Sequence, residues 1–469
     1  MADLTRREFL KSSAAGPLAV AALGPEALSA SGRKPNVIYI MTDQQRKDTL
    51  RCYGNDTVQT PALDSLALRG VLFTSCYTTQ PVCSPCRSSM VTGLFPNVTG
   101  VVENKIPLPA DKFSWLRAMH SAGYKVCYIG KWHLGTEPVP DYLDRWRGFD
   151  TGWSHWIKDE PYYPQPGQSE SALRKKLKAR SRAVASGDSL VGKYRPDVET
   201  DYAIEFITEN RNRPFVCWLS FYPPHTPKTA PDENEALYRG RIEPAEQAVY
   251  HAMVNRLDAN IGRLLRVLDA LKLRENTIVV FTSDHGENYP YRWNHHHKRL
   301  CYDQSANVPL IFSWPGKLPE ARRIENVISI ADLCPTILDL CGLSWPESLH
   351  GRSAKRLMQG DATGWHEDVF IQNSPYTTHK KPAKGGDPSM RERCVVTDDW
   401  KLILSTHREP ELYDRRDAES DRNNVYAKHQ NGPVVRDLVK RLARWGTRTN
   451  DRMTAELIAR WSSVLEIEP

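Results

Sequence analysis

Four short apolar runs recur along the first three-quarters of the chain, and amphipathic stretches separate them. The apolar runs, rich in β-branched and aromatic residues, cover residues 36–41, 124–129, 215–221 and 277–282. Runs of this length predict strands that are buried on both faces, as in a parallel sheet. The amphipathic stretches predict helices over residues 62–69, 111–122, 197–210 and 244–273. This alternation indicates an α/β sandwich with a large, mostly parallel, doubly wound sheet flanked by helices.

Polar residues that can do chemistry follow each predicted strand. They are Asp43 and Gln44 after the first strand, Lys131 and His133 after the second, His225 after the third, and Asp284 and His285 after the fourth. In open α/β sheets, ligands bind beyond the carboxyl ends of the strands. Any one of these residues alone is more commonly a turn former or a cap. Four strands that all end in this way predict one polar site at a single edge of the sheet.

A second, smaller α+β unit is predicted beyond the turn-rich residues 345–353. Residues 394–396 and 401–404 flank a turn and predict a β-hairpin, and residues 434–445 predict a helix. We therefore expect a larger domain over residues 33–355 and a C-terminal subdomain over residues 356–469.

Residues 1–32 resemble an export signal rather than a part of the fold. Arg6 and Arg7 precede Phe9-Leu10-Lys11, an apolar stretch covers residues 14–23, and small residues follow at 27–30. This order of charged, apolar and small residues is typical of export signals, and the paired arginines resemble the twin-arginine type. The alternative is a frayed basic tail. The pattern predicts a bacterial protein that is exported to the periplasm or secreted.

The composition excludes several classes of protein. With 40% hydrophobic and 25% charged residues, the chain of 469 residues can build a core and is not wholly disordered. No apolar run reaches the ~18 residues of a membrane-spanning helix. The net charge of +7 is compatible with an anionic substrate, and we expect no nucleic-acid partner and no stable membrane insertion after signal removal. The ten cysteines do not reveal any disulfide pairing.

A basic stretch lies within a segment that has no apolar periodicity. Residues 174–182 contain six basic residues in nine positions. Such a run is either a solvated face or a binding lip for a polyanion.

The strongest chemical signal is the segment over residues 81–96. Cys83 lies just before Pro85, which can occupy the first position of a helix, so the cysteine is predicted at a helix N-terminus. Free N–H groups and the helix dipole favour negative charge there. Arg87, four residues on, is one helical turn away and can face the same ligand. These residues indicate an anion-binding nucleophile, with an ordinary helix-capping turn as the alternative.

At this point the chain resembles the sulfatase family. The family's maturation motif, Cys-x-Pro-x-Arg followed by Gly-x-x-Pro, is present as Cys83, Pro85, Arg87, Gly93 and Pro96. Further likeness lies in residues 36–44, 130–135, 224–227 and 283–287, in Lys298 ahead of 308–310, and in 412–414 followed by 423–425. The resemblance covers nearly the whole chain beyond the N-terminal signal, and it implies an alkaline phosphatase-like sandwich.

The resemblance also implies cofactors and a partner. In that family a dedicated maturation enzyme oxidises the cysteine to Cα-formylglycine, here at Cys83. One divalent cation is implied, most commonly Ca²⁺, with Mn²⁺ or Mg²⁺ as alternatives. Its ligands would be Asp43, Gln44, Asp284, His285 and the modified residue 83.

The remaining motif residues would act on the substrate. Those that would surround the sulfate oxygens are Arg87, Lys131, His133, His225 and Lys298. Their charge and hydrogen bonds would stabilise the transition state. One hydroxyl of the hydrated aldehyde would attack sulfur, and deprotonation of the other would release sulfate. His225 or Lys298 would protonate the leaving oxygen, and His133 would assist the release.

Two positions depart from the commoner family pattern. Gln44 stands where a second Asp is usual, and His285 stands where Asn is usual. Both variants also occur in relatives that hydrolyse phosphonate or phosphate diesters. Of His295, His296, His297 and Lys298, only Lys298 matches a motif position, so the three histidines are interpreted as structural or rim residues.

We therefore expect an exported sulfuric ester hydrolase that acts on an anionic sulfated carbohydrate. One alternative is a phosphonate monoester or phosphodiester hydrolase on the same scaffold. The other is a non-catalytic protein that binds sulfated glycans.

Overall fold

The computed structural model describes residues 33–151, 154–159, 161, 163–172, 189–289, 297–374, 390–417 and 420–465. The described residues from Pro35 onward form one compact unit. The predicted export signal, the basic stretch over residues 174–182, and His295 and His296 lie outside the described residues. In the described part of the chain, no helix is both long enough and apolar enough to cross a membrane.

Among the described residues, a nine-stranded sheet forms the centre of the protein. Its strands are β1 (Asn36–Asp43), β2 (Val71–Tyr77), β3 (Lys125–Lys131), β4 (Arg145–Phe149), β5 (Phe215–Pro224), β6 (Thr277–Ser283), β7 (Asn307–Ser313), β8 (Arg322–Ile324) and β9 (Ile328–Ser329). The order is β4-β3-β5-β1-β6-β7-β2-β8, with β9 also paired to β2. All pairs are parallel except those that β7 makes with β6 and β2. The predicted mostly parallel sheet is confirmed.

Strand β1 shows why the four apolar runs lack a polar face. Side chains alternate between the two faces of a strand. Val37, Tyr39 and Met41 pack in one apolar cluster, whereas Ile38 and Ile40 pack in another. Because both faces are covered, the strand is continuously apolar from Val37 to Met41.

Helices supply the two covering layers. Their bounds are α1 (Pro61–Leu68), α2 (Cys83–Thr92), α3 (Pro96–Thr99), α4 (Trp115–Ser121), α5 (Arg195–Glu209), α6 (Asp232–Tyr238), α7 (Ala245–Ala270), α8 (Asp303–Ala306), α9 (Leu333–Leu340) and α10 (Lys355–Met358). Helices α1, α5 and α7 pack on the face of Ile38, and α2, α4 and α9 pack on the face of Val37. Helix α4 begins four residues later than predicted, because the Ser114 side chain caps it by accepting a hydrogen bond from the Arg117 backbone N–H.

In the C-terminal part, the described residues form a four-stranded antiparallel sheet and three α-helices. These elements are β10 (Asp368–Asn373), β11 (Glu392–Thr397), β12 (Trp400–Ser405), β13 (Glu411–Asp414), α11 (Tyr426–His429), α12 (Pro433–Arg448) and α13 (Arg452–Leu465). Strands β11 and β12 form the predicted hairpin, and α12 extends the predicted helix. The sequence did not predict α13. The domain boundary after residue 355 stays a prediction.

A buried ion pair joins the small sheet to the rest of the protein, and it allows a stability prediction. The Lys401 Nζ atom, on β12, lies 2.7 Å from Asp303 Oδ1 and 3.1 Å from Asp421 Oδ1. Replacing Lys401 with methionine leaves two carboxylates without their cation. Breaking a buried pair costs about 3–5 kcal/mol, and we expect the lower end because a third of the Asp303 side chain is exposed to water.

Urea unfolding followed by circular dichroism measures this loss. Lys440→Met, on the exposed side of α12, is the matched control and should change the free energy of unfolding by less than about 0.5 kcal/mol. Equal effects of the two substitutions would contradict the prediction.

Candidate active site

The carboxyl ends of four neighbouring strands meet at one edge of the large sheet. Asp43 and Lys131 are the last residues of β1 and β3, and His225 and Asp284 directly follow β5 and β6. Since the sheet order places β3, β5, β1 and β6 side by side, these residues converge as predicted. The contacts below show that all ten predicted site residues lie together.

Cys83 lies at the centre of this site. It is the first residue of α2 and is 1% exposed. Its Sγ atom lies 3.3 Å from His285 Nε2, 3.2 Å from Lys298 Nζ and 3.4 Å from Lys131 Nζ. Burial alone would raise the pKa of the Cys83 thiol, but the charges of Lys131 and Lys298 hold that pKa well below its usual range. The position therefore stabilises a negatively charged atom.

The start of α2 differs slightly from the prediction. The helix begins at Cys83 itself, so Pro85 is its third residue rather than its first. Proline is tolerated there, because the N–H groups of the first helical turn have no acceptor within the helix.

Arg87 lies one turn into α2 and is buried beneath the site. Its Nε atom donates to Asp284 Oδ2 at 2.9 Å, and one terminal nitrogen donates to Asp43 Oδ2 at 3.0 Å. The other terminal nitrogen donates to Ser220 Oγ at 2.9 Å and also to the Lys131 carbonyl oxygen. Arg87 therefore orients the two carboxylates, a task that the sequence did not reveal.

Asp43, Cys83, Asp284 and His285 form a cluster that can hold a metal ion. One ligand atom from each residue lies within 4.8 Å of all the others. The His285 Nδ1 atom lies 2.9 Å from the Gly286 carbonyl oxygen. A proton on Nδ1 satisfies that contact and leaves Nε2, which faces the cluster, as a ligand atom.

Two further observations test whether a cation fits this cluster. Among the described residues, Gln44 Oε1 is buried and has no hydrogen-bond partner, so it is available as a fifth ligand beside the cluster. Burial and the neighbouring Asp43 carboxylate raise the pKa of Asp284, because two buried carboxylates repel one another. A divalent cation would give Gln44 Oε1 a partner and would offset the repulsion between the Asp43 and Asp284 carboxylates. The oxygen-rich ligand set fits Ca²⁺, and His285 also admits Mn²⁺ or Mg²⁺.

The predicted cationic residues Lys131 and Lys298 contact both the Cys83 sulfur and members of the metal-binding cluster. Lys131 Nζ lies 2.6 Å from Asp43 Oδ2, and Lys298 Nζ lies 3.0 Å from His225 Nε2. Burial and then the Lys131 charge lower the pKa of His133 to about 4, and burial and then the Lys298 charge lower the pKa of His225 to about 4. Both imidazoles are therefore neutral at neutral pH. His225 and Lys298 are the more accessible residues, so they face any incoming substrate.

Two of the site residues have a strained backbone conformation. Gln44 and His133 have φ values of 67° and 61°, in the left-handed region that non-glycine residues rarely adopt. Strain of this kind persists only where surrounding contacts enforce it, and it is common at functional sites.

The histidine run before Lys298 is not part of the metal cluster where it is described. His297 Nδ1 lies 3.4 Å from Glu287 Oε1, so its contact is with a carboxylate outside the cluster. This agrees with the interpretation of His297 as a rim residue.

Four buried residues around the site were not predicted to have a role: Ser220, Lys228, Tyr250 and Glu287. Glu287 belongs to the motif over residues 283–287, and Lys228 directly follows the motif over residues 224–227. Their closeness to these motifs could have indicated a role for both residues. Tyr250 gave no signal, because an aromatic residue on an amphipathic helix is commonly a core residue.

Comparison with known proteins bears on the activity of this site. The family model described as Sulfatase matches residues 35–343, and the one described as N-sulphoglucosamine sulphohydrolase, C-terminal, matches residues 291–448. An ulvan-active sulfatase of Formosa agariphila is 28% identical over 84% of this chain and 78% of its own length. An N-acetylglucosamine-6-O-sulfatase of Bacteroides thetaiotaomicron is 25% identical over 87% of this chain and 86% of its own.

A solved structure shows the same fold. The phosphonate monoester hydrolase of Agrobacterium radiobacter superposes with a TM-score of 0.67 at 23% identity, over 89% of this chain and 96% of that one. At this identity the likeness shows the fold alone.

Proposed function

The chain belongs to the sulfatase family and is a sulfate ester hydrolase, and from that premise we propose that it desulfates a sulfated carbohydrate. In this proposal residue 83 acts as Cα-formylglycine made by a maturation enzyme, and one divalent cation, Ca²⁺ by preference, lies beside it. The observation that carries the proposal is that the Cys83 sulfur belongs to the metal-binding cluster and is also contacted by two lysines.

The Cys83 Sγ atom stands in for an oxygen of the modified residue. When present, the hydrated aldehyde supplies a renewable oxygen nucleophile and the cation supplies Lewis acidity at that oxygen. Asp43, Gln44, Asp284 and His285 would hold the cation. The buried Arg87 keeps both carboxylates in place through its hydrogen bonds.

The cationic residues would bind the sulfate group and manage its charge. Lys131 and Lys298 contact the atom at position 83 from two directions, so both can reach oxygens of a sulfate bound next to it. Charge that develops on these oxygens in the transition state would be stabilised in a site that is largely closed to water.

Proton transfer would be divided between two sides of the site. Lys298 and His225, which lie 3.0 Å apart, are placed at the accessible side and would protonate the leaving oxygen. His133 interacts electrostatically with the Cys83 side chain, and its neutral imidazole would accept a proton from the group at position 83.

Sulfated carbohydrate is the proposed substrate class for three reasons. The names of two similar proteins state activity on ulvan and on an N-acetylglucosamine sulfate. Residues 1–32 resemble a twin-arginine signal, and an exported enzyme meets extracellular polymers. The basic stretch over residues 174–182 has the charge to bind a polyanion.

Phosphonate monoester or phosphodiester hydrolysis is the second candidate. The observation that favours it is the ligand pair Gln44 and His285, which the resemblance associates with such relatives. A purely glycan-binding protein is the weaker alternative, because binding alone does not require a metal cluster around a cysteine with a lowered pKa.

The rates of hydrolysis of an aryl sulfate and of the corresponding aryl phosphonate test whether the enzyme prefers sulfate or phosphonate esters. We expect kcat/KM for an aryl sulfate to exceed that for the corresponding aryl phosphonate by at least about tenfold, which is about 1.4 kcal/mol of transition-state binding. Sulfate release from sulfated oligosaccharides, measured by ion chromatography, tests the substrate class. A preference for the phosphonate would favour the phosphonate monoester hydrolase over the sulfatase. If protein carrying the aldehyde hydrolysed neither ester, the glycan-binding alternative would be favoured.

A further inference from the structure

Tyr250 lies directly behind the proposed cation ligand Gln44. It is on α7, 206 residues from Gln44 in the sequence, and is 1% exposed. Its hydroxyl donates to the Gln44 carbonyl oxygen at 2.7 Å and accepts a hydrogen bond from the Arg46 backbone N–H at 3.0 Å. The Tyr250 side chain therefore holds the Gln44 carbonyl group and the Arg46 N–H group, which lie on either side of Gln45.

The Gln44 backbone needs such a restraint. Its φ of 67° is unfavourable for a residue with a side chain, and it turns the chain sharply at the end of β1. The Gln44 backbone N–H also donates to Asp284 Oδ1 at 3.2 Å. With its N–H and its carbonyl oxygen both bonded, Gln44 keeps one backbone conformation, and this limits where its side-chain oxygen can point.

Tyr250 is itself fixed by a buried charge pair. Lys228 Nζ lies 4.0 Å from the centre of the Tyr250 ring and 3.2 Å from the Pro224 carbonyl oxygen, and it pairs with the Glu287 carboxylate. Lys228 follows β5 and Glu287 follows β6. Tyr250 is thus linked through Lys228 and Glu287 to the ends of β5 and β6. Through Gln44 it is also linked to the end of β1.

We propose that Tyr250 is a positioning residue that aims the Gln44 side-chain oxygen at the cation. This inference rests on the proposed function, because it presupposes the cation site. The Tyr250 hydroxyl bonds to the Gln44 carbonyl oxygen and to the Arg46 N–H, so Gln44 is the proposed cation ligand that it contacts.

Calcium binding by purified full-length protein tests this role independently of turnover. In Tyr250→Phe we expect the Ca²⁺ dissociation constant, measured by calorimetry after chelation and dialysis, to rise about tenfold or more, as is typical when a residue that orients a metal ligand is lost. Tyr238→Phe is the matched control. Its hydroxyl is also buried and also accepts a backbone hydrogen bond, from Gln59 at 3.1 Å, but it lies outside the site. We expect that control to bind Ca²⁺ within about twofold of the unsubstituted protein.

A cycle with Gln44→Ala separates positioning from general loosening. If Tyr250 acts through Gln44, Tyr250→Phe should weaken Ca²⁺ binding much less in the Gln44→Ala background than in the unsubstituted protein. A general structural effect would weaken binding equally in both backgrounds and would overturn the inference. Unchanged Ca²⁺ affinity in Tyr250→Phe would also overturn it, while leaving the proposed function intact. If the unsubstituted protein bound none of Ca²⁺, Mn²⁺ and Mg²⁺, the cation part of the proposed function and the inference would fail together.

Discussion

Replacement of Cys83 by alanine is expected to lower kcat/KM for an aryl sulfate by at least about 10⁴-fold, the scale seen when an enzyme loses its nucleophile. The reason lies in the environment of the Cys83 sulfur, which two lysines and His285 contact at 3.2–3.4 Å. Alanine leaves the other four proposed cation ligands in place, but it removes the ligand at position 83 and offers no atom that can attack sulfur. Steady-state kinetics on purified protein measures the loss.

Cys86 provides a matched control for this substitution. It lies one turn further along α2, is fully buried, and packs in the apolar cluster that contains Val37. Burial raises the pKa of its thiol well above the usual range, so it is an unreactive core residue. Cys86→Ala should therefore retain most of the activity. Activity of Cys83→Ala equal to that of the unsubstituted protein would refute the proposed nucleophile.

Mass spectrometry of the same proteins identifies the modification itself. Conversion of the Cys83 thiol to the aldehyde lowers the fragment mass by roughly 18 Da. The tryptic fragment ending at Arg87 should show this loss at residue 83 and not at Cys86 when the protein is produced in a host with the maturation enzyme. An unmodified Cys83 in active protein would require a different nucleophile.

Replacement of Lys298 by methionine is expected to affect substrates according to their leaving groups. For a sugar sulfate, whose alkoxide is a poor leaving group, kcat should fall about 10²–10⁴-fold, because general acid catalysis contributes a factor of this size. For nitrophenyl sulfate, whose phenolate leaves without a proton, the fall should be less than about tenfold. The basis is the position of Lys298 Nζ, 3.2 Å from the Cys83 sulfur and 3.0 Å from His225 Nε2, at the accessible side of the site.

The decisive measurement is the ratio between the fall in kcat for the sugar sulfate and the fall in kcat for nitrophenyl sulfate. Lys440→Met removes an exposed lysine of α12 and should leave both rates unchanged. An equal fall for both substrates would mean that Lys298 binds the sulfate group and does not protonate the leaving oxygen.

The parallel sheet was predictable because its strands are buried on both faces. In β1 and β6 every residue is apolar, or small and polar, and buried, so burial alone requires the continuous runs seen in the sequence. Helix ends were less predictable, as in α4, since the Ser114 cap depends on one side-chain bond. Helix α13 was missed although it packs on the small sheet through Leu457. The local pattern of hydrophobic and polar residues does not show such contacts with elements that are distant in the sequence.

The sequence by itself determined the family and the fold class, and it predicted the ten residues that the fold brings together in the candidate site. It could do so because each of those residues lies in a short contiguous motif next to the end of a strand, and the carboxyl ends of parallel strands meet at one edge. Only the tertiary structure decided how these residues are supported. Ser220, Tyr250 and Lys401 are ordinary residues within their own segments, and they acquire a role only because folding places them against Arg87, Gln44 and Asp303. Hydrogen bonds between positions far apart in the chain depend on packing, and no local pattern of residue types encodes them.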